Sequence, residues 1–467
     1  MEKQVYFVGI GGIGMANLAR YYMLKGAAVA GYDRTPSDLT HALEAEGAQV
    51  TYADDEMEIP LPFRNPDDTL VVYTPAVPAD NRILSFFRDS GFEVIKRAAL
   101  LGRITRHTEA ICVAGSHGKT TTSSMIAHIL YSGHVGCNAF LGGILRNYDT
   151  NLLLCDHSKV AVVEADEYDR SFHHLTPHIA VVTSVDPDHL DIYGDEAGYL
   201  EGFAHFTSLI RPGGYLLLHS GLKLHPRCAE GVTTLTYSAR DPQAAYHAEN
   251  LRHPEGHLYF DLVTPEGTIR DLELGVPVEI NVDNAVAAAA ASLLSGATEQ
   301  EVRSGLKSFM GPKRRFEIWL RDEDYPSGRG TILIDDYAHS PAEVRASIEG
   351  VKKLWPGRRL TVVFQPHLYT RTRDFAPEFA EALSAAPDVI LCEIYPAREL
   401  PLPGVTSEII ARDVKSEKIS VIERKDLLTL VKNSNFEILM TLGAADINVL
   451  LPEIKALLLA KQTGGRG

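Results

Sequence analysis

The sequence predicts an α/β protein of three units, each built on a mostly parallel sheet. Strand-like apolar runs alternate with helical patterns along the whole chain, which is typical of parallel sheets covered by helices. The pattern starts afresh three times, with the strands VYFVGI, EAICVAG and TILIDDYAH. We therefore expect a Rossmann-like unit over 1–107, a central unit with a phosphate loop over 108–311, and a second Rossmann-like unit over 312–467.

The composition indicates a globular protein that binds small molecules. The chain has 467 residues, of which 45% are hydrophobic and 23% charged, so it can bury large cores. Its net charge of −16 opposes binding to nucleic acid or to anionic membranes. The five cysteines form no CxxC pair, and no apolar run approaches the roughly 18 residues of a membrane span. We expect a cytoplasmic protein with no nucleic-acid or membrane partner.

The first unit carries a glycine-rich turn between a strand and a helix. In GIGGIGM (9–15), the glycines would let a pyrophosphate approach the unpaired N–H groups at the start of the helix. Asp33 ends the second strand, where a dinucleotide fold places an acid that binds ribose. The residues alone leave three interpretations open: a nicotinamide dinucleotide, another nucleotide diphosphate, or tight packing without a ligand.

The central unit opens with VAGSHGKTTTSSM (113–125), which ends a strand and begins a helix. Val113 stands where the full Walker spacing has glycine, so the loop is shortened or of another type. Backbone N–H groups from Gly115 onward can wrap an anion, the Lys119 ammonium can neutralise β- and γ-phosphates, and the Thr120 hydroxyl suits Mg²⁺. We expect ATP here, in a P-loop-type ATPase domain, with a chance Gly-Lys turn as the alternative.

Two acidic strand ends follow in the same unit. Glu164 ends the strand VAVVEAD and His189 closes DPDH after the next strand, so both should lie at the carboxyl edge of the sheet, beside the phosphate loop. A carboxylate suits Mg²⁺, whereas an imidazole indicates a softer or Mn²⁺-tolerant site. We predict a divalent metal site, although a single carboxylate here could also be a helix cap or part of a solvated turn.

Two asparagines begin the alanine-rich helix of the central unit. Asn281 and Asn284 are three residues apart and therefore lie on one helix face. Their amides could read the donor and acceptor edge of adenine, or they could cap the helix.

The third unit carries two polar strand ends. In DDYAHSP (335–341), Ser340 matches a capping box with Glu343, and Pro341 fits the first helical position. The other polar residues of this stretch remain free for ligands: Asp336, Tyr337 and His339. QPHLYTRTRD (365–374) ends another strand with two arginines, which could hold a carboxylate or phosphate bidentately or form a solvated basic turn.

Together these motifs resemble the Mur ligase family of peptidoglycan synthesis. The matching motifs span essentially the whole chain, in the order GIGGIGM, GSHGKTTT, EADEYD, DPDHLD, NVDNA, KRRFE, DDYAHSP and FQPHLYTRTRD. The family uses a shortened GxxGKT loop for ATP, which would explain Val113. Within the family, GIGGIGM and QPHLYTRTRD are most similar to the alanine-adding member.

The resemblance implies an amide-forming ligase of peptidoglycan precursor synthesis. The γ-phosphate of ATP would pass to the carboxylate of UDP-N-acetylmuramate, giving an acyl phosphate and ADP, and the amine of L-alanine would then displace phosphate. A carboxylate becomes a good electrophile only with such a leaving group, and bringing two anions together requires Lys119 and metal ions. The implied partners are UDP-N-acetylmuramate, L-alanine, ATP and Mg²⁺, with Mn²⁺ as a substitute, and the chain would be a monomer or a homodimer.

The resemblance also implies roles for single residues. Three residues would act in catalysis: Lys119, Glu164 and His189. Thr120 and Glu164 would bind the magnesium ion between the β- and γ-phosphates, and Glu164 and His189 would bind a second ion at the reacting carboxylate. ATP would contact Gly115, Ser116, His117, Gly118, Lys119, Thr120, Thr121, Asn281, Asn284, Arg315 and Asp336, of which Asp336 would contact the ribose or instead form a contact between domains. The UDP-sugar would contact Gly11, Gly12, Ile13, Gly14, Asp33, Thr74, Pro75, Ala76, Val77 and Arg97. L-Alanine would contact Tyr337, His339, His367 and Arg371, with Arg371 on its carboxylate.

Some residues depart from the family pattern. Ile280 stands where relatives commonly have a histidine, and Leu368 stands where many alanine ligases carry an arginine, so one adenine contact and one anion contact differ. No lysine lies between Lys159 and Lys223, whereas the later ligases of the pathway resemble one another in a carbamylated lysine after DHLD. This absence favours the alanine-adding member.

There are three alternatives, of which one is a related ligase and two belong to a different class of protein. A muropeptide recycling ligase, which joins a tripeptide to UDP-N-acetylmuramate, shares most motifs, but QPHLYTRTRD argues against it. A dinucleotide-dependent oxidoreductase would not need a phosphate loop with metal ligands, and a nucleotide-binding regulatory protein would not need three coordinated sites. ADP release that requires both substrates would separate a ligase from these.

Overall fold

The chain folds into three α/β units, each around its own sheet, in a computed structural model that describes residues 3–78, 80–254, 256–397 and 399–463. The sheets contain five, ten and six strands, and most neighbouring strands are parallel. The predicted fold class is therefore confirmed, whereas the exact domain boundaries stay a prediction. Among the described residues, no helix is long and apolar enough to cross a membrane.

The first unit is a five-stranded, fully parallel sheet with helices. Its elements are β1 (Gln4–Val8), α1 (Ile13–Leu24), β2 (Ala28–Tyr32), α2 (Asp38–Ala45), β3 (Gln49–Thr51), β4 (Thr69–Tyr73), α3 (Arg82–Asp89), β5 (Glu93–Lys96) and α4 (Arg97–Arg106). The strand order is β3-β2-β1-β4-β5. The order reverses between β1 and β4, and such a switch point opens a crevice at the carboxyl ends of the strands. The glycine-rich turn and Thr74 lie at this crevice because they follow β1 and β4.

The central unit has a ten-stranded sheet. Its elements are β6 (Glu109–Ala114), α5 (Lys119–Ser132), β7 (Asn138–Leu145), β8 (Thr150–Leu153), β9 (Val160–Glu164), β10 (Ile179–Val182), α6 (Leu190–Tyr193), α7 (Glu196–Ser208), β11 (Tyr215–His219), β12 (Thr233–Ser238), β13 (Tyr246–Arg252), β14 (Tyr259–Thr264), β15 (Gly267–Glu273), α8 (Ile280–Leu294) and α9 (Glu299–Ser308).

The order of the central sheet is β15-β14-β13-β12-β11-β10-β6-β9-β7-β8. Strands β13 to β15 and the pair β7–β8 are antiparallel, and the remaining pairs are parallel. Because β6 lies between β9 and β10, the phosphate loop and both acidic strand ends meet at one edge of the sheet, as the sequence predicts. The fully buried alanines Ala285 to Ala291 let α8 pack closely against this sheet and α5.

The third unit has a six-stranded sheet of order β16-β17-β21-β18-β19-β20, in which only the pair β16–β17 is antiparallel. Its elements are β16 (Glu317–Leu320), β17 (Ile332–Asp336), α10 (Pro341–Leu354), β18 (Leu360–Phe364), α11 (Tyr369–Asp374), α12 (Ala376–Leu383), β19 (Asp388–Cys392), α13 (Glu408–Ala411), β20 (Lys418–Ile422), α14 (Leu427–Asn433), β21 (Ile438–Leu442) and α15 (Leu451–Thr463). The predicted capping box of Ser340 and Glu343 and the first-turn Pro341 begin α10, which confirms their structural role.

The segment 310–317, called the hinge segment below, joins the central and third units. Gly311, Arg314 and Phe316 have φ of +82°, +61° and +47°, so the chain turns sharply there. The segment pairs with the central sheet through an antiparallel bridge between Leu145 and Pro312. A further contact between the units is the ion pair of Lys353 on α10 with Glu279 before α8, at 2.7 Å.

Candidate active site

The phosphate loop between β6 and α5 leaves the start of the helix open to a ligand. Gly115 and Gly118 have φ of +146° and +82°, which L side chains rarely adopt. The His117 amide donates to Ser184 Oγ at 2.7 Å and fixes the loop against the turn after β10. Gly118 precedes α5 without a side-chain cap, so the first N–H groups of this helix can bind an anion. The other predicted residues lie in the same loop or first helical turn: Ser116, Lys119, Thr120 and Thr121.

Lys119 is held in the loop by two acceptors. Its ammonium donates to the Gly115 carbonyl at 2.6 Å and to Glu167 Oε1 at 2.8 Å. Glu167 is buried, and its second oxygen, Oε2, has no partner among the described residues. No sequence pattern distinguished Glu167 as a site residue, although it lies in EADEYD three residues after Glu164. The pairing directs the cation of Lys119 into the phosphate loop.

Thr120 and Glu164 meet beside the loop. Thr120 Oγ1 donates to Glu164 Oε1 at 2.9 Å, and the Gly142 amide donates to Glu164 Oε2 at 2.9 Å. Burial raises the pKa of the Glu164 carboxyl, and these two hydrogen bonds oppose the rise. A side chain at Gly142 would have a Cβ under 3.0 Å from the carboxylate of Glu164. Gly142 therefore belongs to the site, and the glycine pair in the strand NAFLGGIL was its only signal in the sequence.

His189 lies at the same sheet edge but contacts different residues. It has φ of +51°, its ring packs edge-on against Tyr168 at 5.2 Å between centroids, and its Nε2 is 3.7 Å from Asp188 Oδ2. Among the residues that the structure describes, no group of three or more His, Cys, Asp or Glu side chains could hold a metal ion. The role of His189 as a metal ligand stays a prediction.

Asn281 and Asn284 lie beside the phosphate loop rather than at the helix cap. Asn284 Nδ2 donates to Asn281 Oδ1 at 3.1 Å, and Thr122 Oγ1 donates to Asn284 Oδ1 at 3.0 Å. The cap of α8 is Glu279, which makes no side-chain capping bond. The capping alternative is therefore wrong. The amide pair joins α8 to the helix that follows the loop, and a Cβ at Gly118 would lie 2.8 Å from Asn284 Oδ1.

The glycine-rich turn of the first unit forms a narrow crevice wall. The Gly11 amide donates to Asp33 Oδ2 at 2.7 Å. A Cβ at Gly14 would lie 2.7 Å from Arg97 Nη1, so the guanidinium of Arg97 rests directly on the start of α1. The structure thus brings the acid and the arginine to the same turn, as expected for a site that binds an anionic nucleotide.

Across this crevice, the turn after β4 packs against the glycine-rich turn. A Cβ at Gly9 would lie 2.7 Å from Thr74 Cγ2 and 3.0 Å from Val77 Cγ2. The remaining predicted residues of the crevice are exposed: Gly12, Ile13, Pro75 and Ala76. Lys96, at the end of β5, lies 3.8 Å from Asp169 of the central unit, which places this crevice near the segment that holds Glu167.

In the third unit, Tyr337 is surrounded by polar groups of the hinge segment and of its own strand end. The guanidinium carbons of Arg314 and Arg315 lie 5.0 and 5.5 Å from the centroid of its ring. The ring of His339 packs edge-on against it at 5.2 Å. Arg315 is exposed and lies, like His339, against the ring of Tyr337, whereas the contact of these residues with substrates stays a prediction.

Asp336 was expected to contact either the ribose or another domain, and its hydrogen bonds agree with the second role. Its carboxylate accepts hydrogen bonds from the Ser347 hydroxyl and from the backbone amide of Phe316. Burial raises the pKa of the Asp336 carboxyl, and the Ser347 bond is the largest opposing effect. Asp336 therefore fixes the hinge segment to the third unit, since Phe316 belongs to that segment. Contact of Asp336 with a nucleotide stays a prediction.

His367 and Arg371 follow β18, which is separated in the sheet from β17, the strand before His339, by β21. The ring of His367 stacks on Tyr395 at 5.9 Å, and its Nδ1 is buried without a partner among the described residues. Burial and the charge of Arg371 lower the pKa of His367, and they also lower the pKa of His339. Leu368, which replaces the expected arginine, has φ of +71°, a strained conformation for leucine.

A phosphate loop with a buried Lys–Glu pair, placed between two Rossmann-like units, defines a nucleotide-binding α/β enzyme of three units. The chain belongs to the Mur ligase family. The model described as Mur ligase family, catalytic domain, matches residues 4–109, the Mur ligase middle domain matches 113–292, and the Mur ligase, glutamate ligase domain, matches 314–437. The predicted family membership is confirmed.

Individual relatives agree with this assignment. The chain is 52% identical to the UDP-N-acetylmuramate–L-alanine ligase of Parabacteroides distasonis, over 97% of both chains, and 50% identical to that of Phocaeicola vulgatus, over 98% of both. Its fold matches the solved UDP-N-acetylmuramate–alanine ligase of Thermotoga maritima with a TM-score of 0.75 and 25% identity, over 98% of this chain and 99% of that one. A murein peptide ligase from Psychrobacter arcticus shares the fold, with a TM-score of 0.60, 20% identity and 98% coverage of both chains.

Proposed function

We propose that this chain is an ATP-dependent ligase of peptidoglycan precursor synthesis that joins L-alanine to the carboxylate of UDP-N-acetylmuramate, with ADP and phosphate as the other products. The observation that carries the proposal is the phosphate loop, in which Lys119, Thr120 and Glu164 converge at one sheet edge. Relatives about half identical over nearly the whole chain bear the name of this activity.

The central unit would activate the carboxylate. The helix N–H groups and the Lys119 ammonium would bind the β- and γ-phosphates, so that the γ-phosphate can be attacked by an anionic carboxylate. The Thr120 hydroxyl and the Glu164 carboxylate are hard oxygen donors 2.9 Å apart, which fits a magnesium ion. That ion would supply charge neutralisation between the two phosphates and the incoming carboxylate. We keep His189 as the proposed ligand of a second ion.

The other units would supply the two organic substrates. The crevice of Gly11, Asp33 and Arg97 would hold the UDP-sugar, because the N-terminus of α1 and the Arg97 guanidinium could bind its pyrophosphate. Arg371 would bind the carboxylate of L-alanine beside Tyr337. Asn281 and Asn284 would contact adenine, with Arg315 on the phosphates. We propose domains over 1–107, 108–311 and 312–467, a cytoplasmic location, and a monomer or homodimer.

Phosphate release tests this function. The assay supplies ATP, Mg²⁺ and UDP-N-acetylmuramate, and adds each of the twenty amino acids singly or the muropeptide tripeptide. We expect release with L-alanine, and its loss in Lys119→Ala. Release with the tripeptide alone would instead identify a recycling ligase, and no release with any acceptor would refute the ligase assignment. Replacing Mg²⁺ by Mn²⁺ or by chelator in the same assay tests the metal.

A further inference from the structure

Amide formation by this enzyme needs a group that takes a proton from the incoming amine. L-Alanine is an ammonium at neutral pH, and an ammonium has no electron pair with which to attack an acyl phosphate. The charged side chains of the central unit would bind ATP and metal. The amine of L-alanine would instead enter at the third unit, where His339 and His367 lie near Arg371.

The hydrogen bonds of His339 determine which of its ring nitrogens can accept a proton. Nδ1 lies 3.1 Å from the Tyr337 carbonyl oxygen and 3.3 Å from Glu343 Oε2. Both neighbours accept hydrogen bonds, so Nδ1 carries the hydrogen and Nε2 keeps its lone pair. No partner of Nε2 is found among the described residues, and the side chain is 27% exposed, so a ligand in the cleft can reach it.

The charges around His339 favour the neutral ring. Burial is the main cause that lowers its pKa, and Arg371 and Arg315 lower it further, against the opposing effect of Glu343. His339 in turn lowers the pKa of His367, so the two rings lie near each other at the same end of the third sheet. At neutral pH the ring is therefore uncharged and able to accept a proton.

From this geometry we propose that His339 is a catalytic residue, the general base that deprotonates the amine of L-alanine through Nε2. The proposal rests on the proposed function and adds a role to it. If Arg371 binds the carboxylate of L-alanine, the ammonium on the adjacent Cα would lie beside His339. His367 is the weaker candidate, because its Nδ1 is buried and no residue that the structure describes sets its tautomer.

Two protons leave the nitrogen of L-alanine while the amide bond forms. Nε2 takes one proton from the ammonium, and the freed electron pair of the nitrogen forms a bond to the acyl carbon. The bond from that carbon to the phosphate oxygen breaks, and phosphate leaves with its electron pair and takes the second proton from nitrogen. His339 then returns its proton to water, which restores the neutral ring.

Hydroxylamine separates this role from a structural one. It is largely unprotonated at neutral pH, so it can attack the acyl phosphate without a general base and give a hydroxamate. In His339→Asn we expect kcat with L-alanine to fall by about 10²- to 10⁴-fold, the usual range for general-base catalysis. Hydroxamate formation from ATP, UDP-N-acetylmuramate and hydroxylamine should stay near the wild-type rate, which would also show that the variant is folded.

Two further variants complete the experiment. His225→Asn changes an exposed histidine of the central unit and should alter neither rate. The proposal would be overturned if His339→Asn raised only the KM for L-alanine. It would also be overturned if this variant lowered the rates of amide and hydroxamate formation equally. The proposal would also be overturned if His367→Asn, and not His339→Asn, lost amide formation and kept hydroxamate formation, because the base would then be His367. If the wild-type enzyme formed neither product, the proposed function itself would have failed.

Discussion

Removing the charge of Glu167 should weaken the use of ATP without dismantling the phosphate loop. The Lys119 ammonium has three hydrogens, and two of them are taken by the Gly115 carbonyl and Glu167 Oε1 at 2.6 and 2.8 Å. The third is left for a phosphate oxygen. Glu167→Gln keeps the size and one acceptor oxygen of the side chain, but removes the charge that holds the ammonium in this direction.

The magnitude follows from the burial of the pair. The side chains of Lys119 and Glu167 are only 15% and 2% exposed, so solvent and salt screen them little. A hydrogen bond between charged groups contributes about 1.5–3 kcal/mol, and about 1.4 kcal/mol corresponds to a tenfold change. Since Lys119 would act on the transferred phosphate, we expect kcat/KM for ATP to fall by about 10- to 100-fold.

The assay is phosphate release at varied ATP, with UDP-N-acetylmuramate and L-alanine saturating. Asp166→Asn is the matched control, because it removes the same charge from the exposed neighbouring residue of the same segment. A kcat/KM for ATP that is equal in Glu167→Gln and Asp166→Asn would refute the argument that Glu167 directs Lys119. Thermal unfolding of both variants checks that any loss of activity does not come from unfolding.

Three further changes act at separate points of the chain. Gly142→Ala would place a Cβ under 3.0 Å from the carboxylate of Glu164, so kcat should fall at least tenfold at saturating substrates. Asp33→Ala removes the acceptor of the Gly11 amide, so KM for UDP-N-acetylmuramate should rise about tenfold with little change in kcat. Backbone hydrogen bonds lower the pKa of Glu301 from 4.5 to about 2, so its contribution to stability is present above pH 4.5 and lost as pH falls toward about 2. In Glu301→Gln, thermal unfolding midpoints should therefore depend less on pH across that interval.

The parts of the site that follow a strand could be predicted from the sequence. Parallel strands end at one edge, so Thr120 and Glu164 were expected to be neighbours although 44 residues separate them. Gly142 and Glu167 were missed because their roles depend on contacts across neighbouring strands and the loop, which no local pattern records. The hydrogen bond of Asn284 with Thr122 could not be predicted for the same reason, because the two residues are 162 positions apart in the sequence.

The connection between the central and third units includes a buried apolar cluster, a buried ion pair and a more exposed ion pair. Arg146 and Glu317 pair at 3.0 Å beside the hinge segment 310–317, with side chains only 18% and 8% exposed, and breaking a buried pair of this kind is costly. Lys353 and Glu279 pair at 2.7 Å with 55% and 26% exposure, and such pairs contribute about 1 kcal/mol or less. A rotation about the hinge segment would break the outer ion pair at little cost while the inner one holds, and its main cost would be the exposure of the apolar cluster that joins the units. Because the phosphate loop and the proposed alanine site lie on opposite sides of this hinge, the two halves of the reaction would be joined by that motion.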